Sequence, residues 1–355
     1  MSVKVRPYRR GGWEVDITFR LPNGRRWRER VKAPTTSKSA AMRWGQDREQ
    51  HLLQHGVPQI EKEVPTLNEF ASRFMAGHPV ANRQKPSAIA ANQTILDVHL
   101  LPALGGRKLD AITNEDIQRL KGLLQEKKPK TVNNVLSVLS VLLKKAVEWS
   151  VIERMPCTIR LLKVPKATMG FWDFDAYAKL ASSAKRDGAD TYLIVLLGRE
   201  AGLRCGEIIG LEWPDIDFDK RQLCVQRSEW RGHVTVPKGG RFRYVPMTAL
   251  LTEALREHQR SEGRILRDDE GKPYTQDMVG DRVRRAARSA GVSVSGAHRL
   301  RHTFCSHLAM LNAPLTAIQA AAGHQDVVTT QRYIHLSSTA VEDAIRRLEP
   351  ADPAS

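Results

Sequence analysis

The stretch AHRLRHTFCSHL, which begins at Ala297, places three histidines and two arginines within twelve residues. Histidines four residues apart on a helix can bind one metal ion, and a histidine and an arginine three residues apart can hold one phosphate group. The glutamate of an HExxH zinc helix is absent, and an arginine beside a metal cation would repel it. We therefore expect no metal here, and we assign His298 and Arg301 to a phosphate-binding face. His302 and His307 are expected to make structural hydrogen bonds, although His302 could also lie near the site.

Three further segments of the C-terminal half carry side chains that could act on a phosphodiester. EAGLRCGE places Arg204 after a Gly-Leu turn and Glu207 three residues later, and VPKGGRF places Lys238 before two glycines at the tip of an expected hairpin. AAGHQDVVTTQRYIH places His324 after a glycine and Tyr333 nine residues further on. Taken singly, such residues are more often structural, for example as a surface ion pair or a solvated lysine.

Taken together and in this order, these residues resemble the catalytic boxes of the tyrosine recombinase (phage integrase) family. The family pattern is an arginine, a hairpin lysine, His-x-x-Arg, Gly-His or Gly-Trp, and a tyrosine nucleophile, and the flanking segments AGLRCGE, HRLRHTF and AGHQDVVTTQRYIH are also similar to it. The resemblance covers the C-terminal segment well and the middle segment by general pattern. It implies that the catalytic residues are Arg204, Lys238, His298, Arg301, His324 and Tyr333, with Glu207 in a supporting role that orients Arg204 or a neighbouring histidine.

The chemistry of a phosphodiester explains why these residue types are needed. Negative charge builds up in the pentavalent transition state, and Arg204 and Arg301 could each offer bidentate donors to the non-bridging oxygens, with a further donor from His324. An ordinary tyrosine has a pKa of about 10, so only about a thousandth of it is ionised at neutral pH. Tyr333 therefore needs nearby positive charge, and His298 is expected to help it as a base or positioning group.

The resemblance also implies the outcome of the reaction. Lys238 would act as general acid for the departing 5′-oxygen, leaving a 3′-phosphotyrosyl link and a free 5′-hydroxyl. Because the bond energy is kept in that link, a second DNA end can reseal the strand, and neither ATP, a metal nor another cofactor is required. Exchanges through a four-way (Holliday) junction need four tyrosines, which predicts a homotetramer on DNA.

The composition agrees with a nucleic-acid partner. The chain has 355 residues, enough for two or three domains, and 56 basic against 39 acidic side chains give a net charge of +17 and a sequence pI near 10.0. The four cysteines are scattered with no CxxC spacing, as in a reduced intracellular protein. The N-terminus lacks the apolar core of a signal peptide, and no apolar run is long enough to span a membrane.

The N-terminal segment, residues 1–64, is expected to be a small basic sheet plus one helix. Trp13, Val15, Ile17 and Phe19 alternate with polar residues, as in a half-buried strand, and an Asn-Gly pair signals the hairpin turn that follows. A helix is expected from a Ser37 cap to a terminating Gly56. The segment resembles the arm-binding domains of mobile-element integrases, and the DNA-contact candidates are Arg25, Arg26 and Arg28. A solvated basic hairpin is the alternative interpretation.

The remaining chain divides into a helical segment and a mixed one. Residues 65–160 are expected to be a helical core-DNA-binding domain with a Thr66 cap, an apolar stripe and a basic exterior that includes Lys127, Lys128 and Lys130. Residues 165–349 are expected to be the catalytic domain, mostly α, with a short three-stranded sheet from QLCVQRS, HVTVPK and RFRYVPM, and residues 350–355 a disordered tail. The predicted fold class is α+β, a mainly helical multidomain protein.

The sequence thus predicts a site-specific DNA recombinase that integrates or excises a phage or other mobile element. The alternatives are a type IB topoisomerase, which shares the catalytic arginines, lysine and tyrosine, and a DNA-binding regulator without catalysis. The expected partners are double-stranded DNA at core and arm-type sites, further copies of the chain, and an excision helper or DNA-bending protein, with no membrane. The expected location is the cytoplasm of a bacterial or phage-infected cell, at the nucleoid.

Overall fold

The structure is a computed structural model that describes residues 2–9, 11–21, 24, 26–56, 63–165, 169–237, 240–260, 262–268 and 270–333. Its contacts divide the chain into two compact units. The first consists of Met1–Pro65 and Val147–Arg154, and the second of Thr66–Ala146 and Met155–Ser355. No helix of the described residues is both long enough and apolar enough to cross a lipid bilayer.

The first unit contains an antiparallel sheet in the order β1-β2-β3, packed against one helix. Its elements are β1 Val3–Pro7, β2 Trp13–Arg20, β3 Arg26–Lys32 and α1 Lys38–His55. Val15 and Ile17 of the predicted strand are buried against the helix, as the alternation requires. The predicted helix limits are also confirmed, since the Ser37 side chain accepts a hydrogen bond from the Ala40 amide and Gly56 follows the last turn with a φ of 82°.

The second unit begins with a set of helices, several of which bury apolar side chains. They are α2 Leu67–Ala81, α3 Pro86–Ile95, a π-turn Leu96–Leu100, α4 Leu101–Leu104, a 3-10 turn Leu109–Ala111, α5 Asn114–Leu123 and α6 Pro129–Glu148. Thr66 and Glu69 form a reciprocal capping box at the start of α2, which confirms the predicted cap. The side chain of Asn133 on α6 makes two hydrogen bonds to the Leu162 backbone and so fixes the segment that leads into the next helices.

The C-terminal part of the second unit is built around α8, which is almost completely buried. Its helices are α7 Phe174–Asp187, α8 Ala189–Arg199, α9 Cys205–Gly210, α10 Ala249–Glu257, α11 Gln276–Ser289, α12 His298–Met310, α13 Leu315–Ala322 and α14 Val327–Gln331. Its strands are β4 Ile216–Asp217, β5 Gln222–Val225, β6 Ser228–Trp230, β7 His233–Thr235 and β8 Arg243–Pro246. Gly198 lets α12 lie directly on α8, because a Cβ there would be 2.7 Å from Leu300.

The predicted fold class is confirmed, because the chain is mostly helical with small antiparallel sheets. A three-stranded sheet is present, but its order is β4-β5-β8, and the HVTVPK segment is not part of it. That segment supplies β7, which pairs with β6 in a separate two-stranded ribbon. The separation has a local cause, since Gln226 and Arg227 hydrogen bond to the buried Asp215 and turn the chain away after β5.

Candidate active site

Arg301 lies one turn into α12 and is 2% exposed. Its Nη1 donates to the Gly202 carbonyl at 2.6 Å, whereas its buried Nη2 has no hydrogen-bond partner among the described residues. Burial and the positive charge of Arg204 lower the pKa of Arg301 to about 10, so it is still charged at neutral pH. A buried charged donor without a partner is costly, and an anion bound beside it would supply the missing acceptor.

Arg204 stands at the residue before α9 and joins two parts of the site. Its Nη1 donates to Glu207 Oε1 at 2.8 Å, and its Nη2 donates to the Gly323 carbonyl at 3.0 Å. The Arg204 amide also donates to the Glu207 carboxylate, so this carboxylate caps the helix and orients the guanidinium together. Arg204 and Glu207, which are three residues apart in the sequence, therefore contact each other within one turn of helix.

Glu207 is 1% exposed and binds a second arginine, Arg243 of β8. The Arg243 Nη2 donates to Oε2 at 2.8 Å and its Nη1 donates to Oε1 at 3.2 Å. Burial disfavours the carboxylate, but the hydrogen bonds and charge of Arg243 and the charge of Arg204 outweigh this and lower the pKa of Glu207 to about 2. Glu207 is thus an anion between two guanidiniums.

Tyr333 is 2% exposed and its hydroxyl lies 2.7 Å from the Nδ1 of His302. Burial and the adjacent Cys305 thiol raise the pKa of Tyr333, while Arg301 acts in the opposite sense. Burial, together with the charges of His298 and Arg301, lowers the pKa of His302 to about 4. His302 is therefore neutral at pH 7, and its Nδ1 can accept the tyrosine hydrogen.

His324 follows α13 across Gly323, whose φ of 66° is left-handed. Its Nδ1 lies 2.9 Å from the Thr330 hydroxyl, and its ring is parallel to that of Tyr333 with centroids 6.4 Å apart. Burial and the charges of Arg301 and Arg204 lower the pKa of His324 to about 3. A neutral imidazole held by Nδ1 leaves Nε2 for a hydrogen bond to another group.

A groove of about 630 Å³ reaches this cluster from the surface. It is lined by Arg204 and His298 on one side and by the start of α3, including Lys85, on the other. The Lys85 ammonium donates to the Val236 carbonyl at 2.8 Å, so the helical part and the catalytic part of the second unit border the same groove. His298 is exposed here, with its ring edge-on to that of His302 at 4.5 Å.

The structure brings most of the predicted catalytic residues into one cluster. Arg204, Glu207, Arg301, His324 and Tyr333 are connected by the contacts above, and His298 joins them through His302. Lys238 lies outside the described residues. In the part of the chain that the structure describes, no group of three His, Cys, Asp or Glu side chains is placed to hold a metal ion.

The role of His302 is not decided by the sequence, and the contacts of Arg243 are not predicted by it. The i, i+4 spacing from His298 does place His302 on the same helix face, and that spacing was the available signal. His307, in contrast, makes the expected structural contacts, since its Nε2 lies 2.8 Å from the Trp172 carbonyl and its ring stacks on Phe174. Nothing in the sequence distinguishes Arg243 from the other arginines near it.

Of the predicted DNA-contact residues, those that the structure describes lie on β3 and around the start of α6. Arg26 is exposed at the start of β3, and Arg25 lies outside the described residues. Arg28 binds the buried Asp16 through Nε and Nη2 at 2.8 and 2.6 Å, so much of its donor capacity is used inside the first unit. Lys127, Lys128 and Lys130 are exposed around the start of α6, where their charges are available to a polyanion.

The chain is mainly helical, and its cluster combines two arginines with a tyrosine whose hydroxyl contacts a neutral histidine. These features are those of an enzyme of the tyrosine recombinase class. The profile of the phage integrase family matches residues 171–339, and that of the phage integrase N-terminal SAM-like domain matches residues 66–121. Together they cover more than half of the chain. The chain belongs to the phage integrase family.

Two relatives match over most of their length. The "Tyrosine recombinase XerC-like" protein of Caldanaerobacter subterraneus subsp. tengcongensis is 27% identical over 286 residues, which cover 69% of this chain and 73% of that protein. The ICEBs1 integrase of Bacillus subtilis is 22% identical over 351 residues, which cover 92% and 94% respectively.

Solved structures share the fold. The Tn1549 transposon integrase in complex with transposon right end DNA has a TM-score of 0.68 at 19% identity, covering 80% of this chain and 99% of that one. The lambda integrase tetramer bound to a Holliday junction has a TM-score of 0.60 at 18% identity, covering 91% and 95%.

Proposed function

We propose that this enzyme is a site-specific DNA recombinase of a mobile element and that Tyr333 is the nucleophile that attacks a DNA phosphate. The observation that carries the proposal is the 2.7 Å contact between the Tyr333 hydroxyl and His302 Nδ1, in a cluster where Arg301 acts on Tyr333 and where both Arg301 and Arg204 act on His324. A phenol next to a neutral imidazole can lose its proton as it attacks, and the arginines stabilise the charge that develops on the phosphate. Because Tyr333 is sheltered here, its segment has to open towards bound DNA.

The phosphate is expected to bind between Arg204 and Arg301. The Nη2 of Arg301, which has no hydrogen-bond partner among the described residues, supplies one donor, and Arg204 supplies further positive charge. His324 would add a donor from Nε2, because its Nδ1 lies against Thr330. These groups hold the phosphate while the Tyr333 oxygen forms the new phosphorus bond.

Tyr333 attack breaks the bond between phosphorus and the sugar 5′-oxygen, which leaves with a proton. We propose that Lys238 donates that proton. Lys238 directly follows Pro237 in the sequence. The product is a 3′-phosphotyrosyl link that keeps the energy of the broken bond. The 5′-hydroxyl of another strand can then attack it and release Tyr333.

We propose three functional segments and an assembly of four copies. Residues 1–64 would bind arm-type DNA sites, residues 65–160 core sites, and residues 165–349 would carry out catalysis. Four strand exchanges need four tyrosines, which favours a homotetramer on a junction, and an excision helper or DNA-bending protein would set direction. Such a protein would act in the cytoplasm, at the nucleoid.

The proposal is tested with nicked duplexes whose core sequence is randomised, from which covalent adducts are selected on denaturing gels and sequenced. The selected site is then placed on two separate duplexes. Joining of the two through a four-way junction, with no joining by Tyr333→Phe, is the expected result. Relaxation of supercoils without joining would instead indicate a topoisomerase, and binding without any adduct would indicate a regulator.

A further inference from the structure

Arg243 contacts several groups of the site but takes part in none of the catalytic steps proposed above. It lies on β8, its side chain is 12% exposed, and it makes two hydrogen bonds to Glu207. Its Nε donates to the Ala321 carbonyl at 3.1 Å. One guanidinium therefore links the carboxylate behind Arg204 to the end of the helix that leads to His324.

The first consequence concerns charge. Arg204, Glu207 and Arg243 together carry a net charge of +1, whereas Arg204 and Glu207 alone would form a neutral pair. With Arg243 present, the carboxylate shares its charge between two guanidiniums, and the positive potential at Arg204 is preserved for a phosphate. Among the described residues, removal of Arg243 would leave Arg204 as the guanidinium that pairs with this carboxylate.

The second consequence concerns the turn at Gly323. A Cβ on Gly323 would lie 3.0 Å from Cδ and Nη1 of Arg243, so the arginine side chain fills the space beside this residue. The Gly323 carbonyl accepts from Arg204 on the other side. The turn that precedes His324 is thus held by both guanidiniums.

We infer that Arg243 is a positioning residue for the recombination reaction. It preserves the positive potential at Arg204 and fixes the position of His324, and it does not itself contact DNA. The inference rests on the proposed function, because it assigns Arg243 a role through Arg204 and His324. It predicts that Arg243 affects the rate of strand cleavage more than the affinity for DNA. It also predicts that the charge of Glu207 is the reason why Arg243 is needed.

The test is single-turnover cleavage of the selected nicked duplex at saturating protein. We expect Arg243→Gln to cleave about tenfold or more slowly, with DNA affinity within a few-fold of wild type. The double variant Glu207→Gln/Arg243→Gln removes the buried anion together with its partner. We expect it to cleave about tenfold faster than Arg243→Gln, since groups in one ion network couple strongly.

Arg264→Gln is the matched control. Arg264 is 13% exposed, pairs with Glu212 and Glu229 at 3.2 and 3.0 Å and hydrogen bonds to the Gly210 carbonyl, so it is as buried and as paired as Arg243. None of these partners among the described residues is one of the predicted catalytic residues. We expect it to lose stability and to keep its cleavage rate within about twofold once folded. If Arg243→Gln does not fold, Arg243→Lys, which keeps the charge, and the double variant, which lacks the buried carboxylate, provide the comparison.

Four outcomes separate the possibilities. A wild-type rate in Arg243→Gln overturns the inference, and so does a double variant no faster than the single one, because a packing role would not respond to the charge of Glu207. A loss of rate in Arg264→Gln equal to that in Arg243→Gln would also overturn it. If the wild-type chain itself forms no adduct, the proposed function is refuted, and this result is distinct from a failure of the role inferred for Arg243.

Discussion

Arg301 is the side chain on which the proposed phosphate site depends most. It is sealed from solvent, held by one carbonyl, and left with a nitrogen that no described residue satisfies. The sequence predicted its role from His-x-x-Arg, since three residues on a helix bring both side chains to one face. It could not settle the contact between His302 and Tyr333, because residues 31 positions apart meet through the packing of α12 against the segment after α13.

Arg301→Ala is expected to lower strand cleavage by about 100- to 1000-fold, the usual cost of removing one preorganised donor. DNA binding should change only a few-fold, because affinity is spread over many phosphate contacts. Single-turnover adduct formation and fluorescence anisotropy on the same duplex measure the two effects. The control is Arg285→Ala, which removes an equal charge from an exposed ion pair with Asp187. A larger loss in binding than in cleavage would refute the phosphate-clamp assignment.

The buried histidines make stability depend on pH. Burial and the charge of Arg199 lower the pKa of His307 from 6.5 to about 4. Between these values the unfolded chain binds more protons, so the stabilisation is fully present above about pH 6.5 and is lost as the pH falls towards 4. At pH 5 the loss from this one residue is on the order of 2 kcal/mol.

Urea unfolding at pH 8 and pH 5 tests this sign. We expect the wild-type free energy of unfolding to fall more than that of His307→Gln, whose amide does not titrate. His302 and His324 act in the same direction and remain in both proteins, so the difference isolates His307. Equal falls in the two proteins would contradict the assignment of a neutral His307.

At the level of helices and strands, the sequence was most informative where chemistry is local. Ser37, Gly56 and Thr66 mark helix ends because a cap depends on a few neighbouring residues. The pattern of β8 was harder to interpret, since Phe242 and Tyr244 are 66% and 61% exposed while Arg243 between them faces inward. The usual pattern, with apolar side chains inside and polar ones outside, is reversed there because Arg243 pairs with the buried Glu207. No residue within the strand indicates this reversal.

Gly323→Ala tests whether the turn before His324 serves the reaction. Gly323 and Gly291 both have a φ of 66°, but a Cβ has open space at Gly291 and would press on Arg243 at Gly323. Both alanine variants should lose about 1 kcal/mol of stability from the left-handed backbone. Only Gly323→Ala should also slow cleavage by about tenfold or more, because small displacements of catalytic groups are costly. Equal cleavage rates in the two variants would show that the turn has no catalytic role.

The whole molecule combines a net charge of +17 with a division into two compact units. Charge and length predicted a nucleic-acid partner and more than one domain, because these depend on composition. The division of labour between 1–64, 65–160 and 165–349 stays a prediction. It follows from the composition and the predicted secondary structure of each segment, and separate binding measurements are needed to test it.

Removal of residues 1–64 is expected to spare binding to the core site and to weaken binding to any accessory site. The physical reason is that the exposed basic residues of β3, such as Arg26, are lost, while Lys127, Lys128 and Lys130 remain. Footprinting of both site types compares the full chain with the truncated one, and thermal unfolding checks that the truncated chain is folded. Unchanged accessory binding would exclude this role for the segment.

The most direct measurement is the identity of the residue that becomes bonded to DNA. A radiolabelled nicked duplex is trapped on the purified chain, the complex is digested, and the labelled peptide is sequenced by mass spectrometry. The account predicts a phosphotyrosine at Tyr333, with no adduct in Tyr333→Phe. A label on any other side chain, or an adduct that persists in Tyr333→Phe, would contradict it.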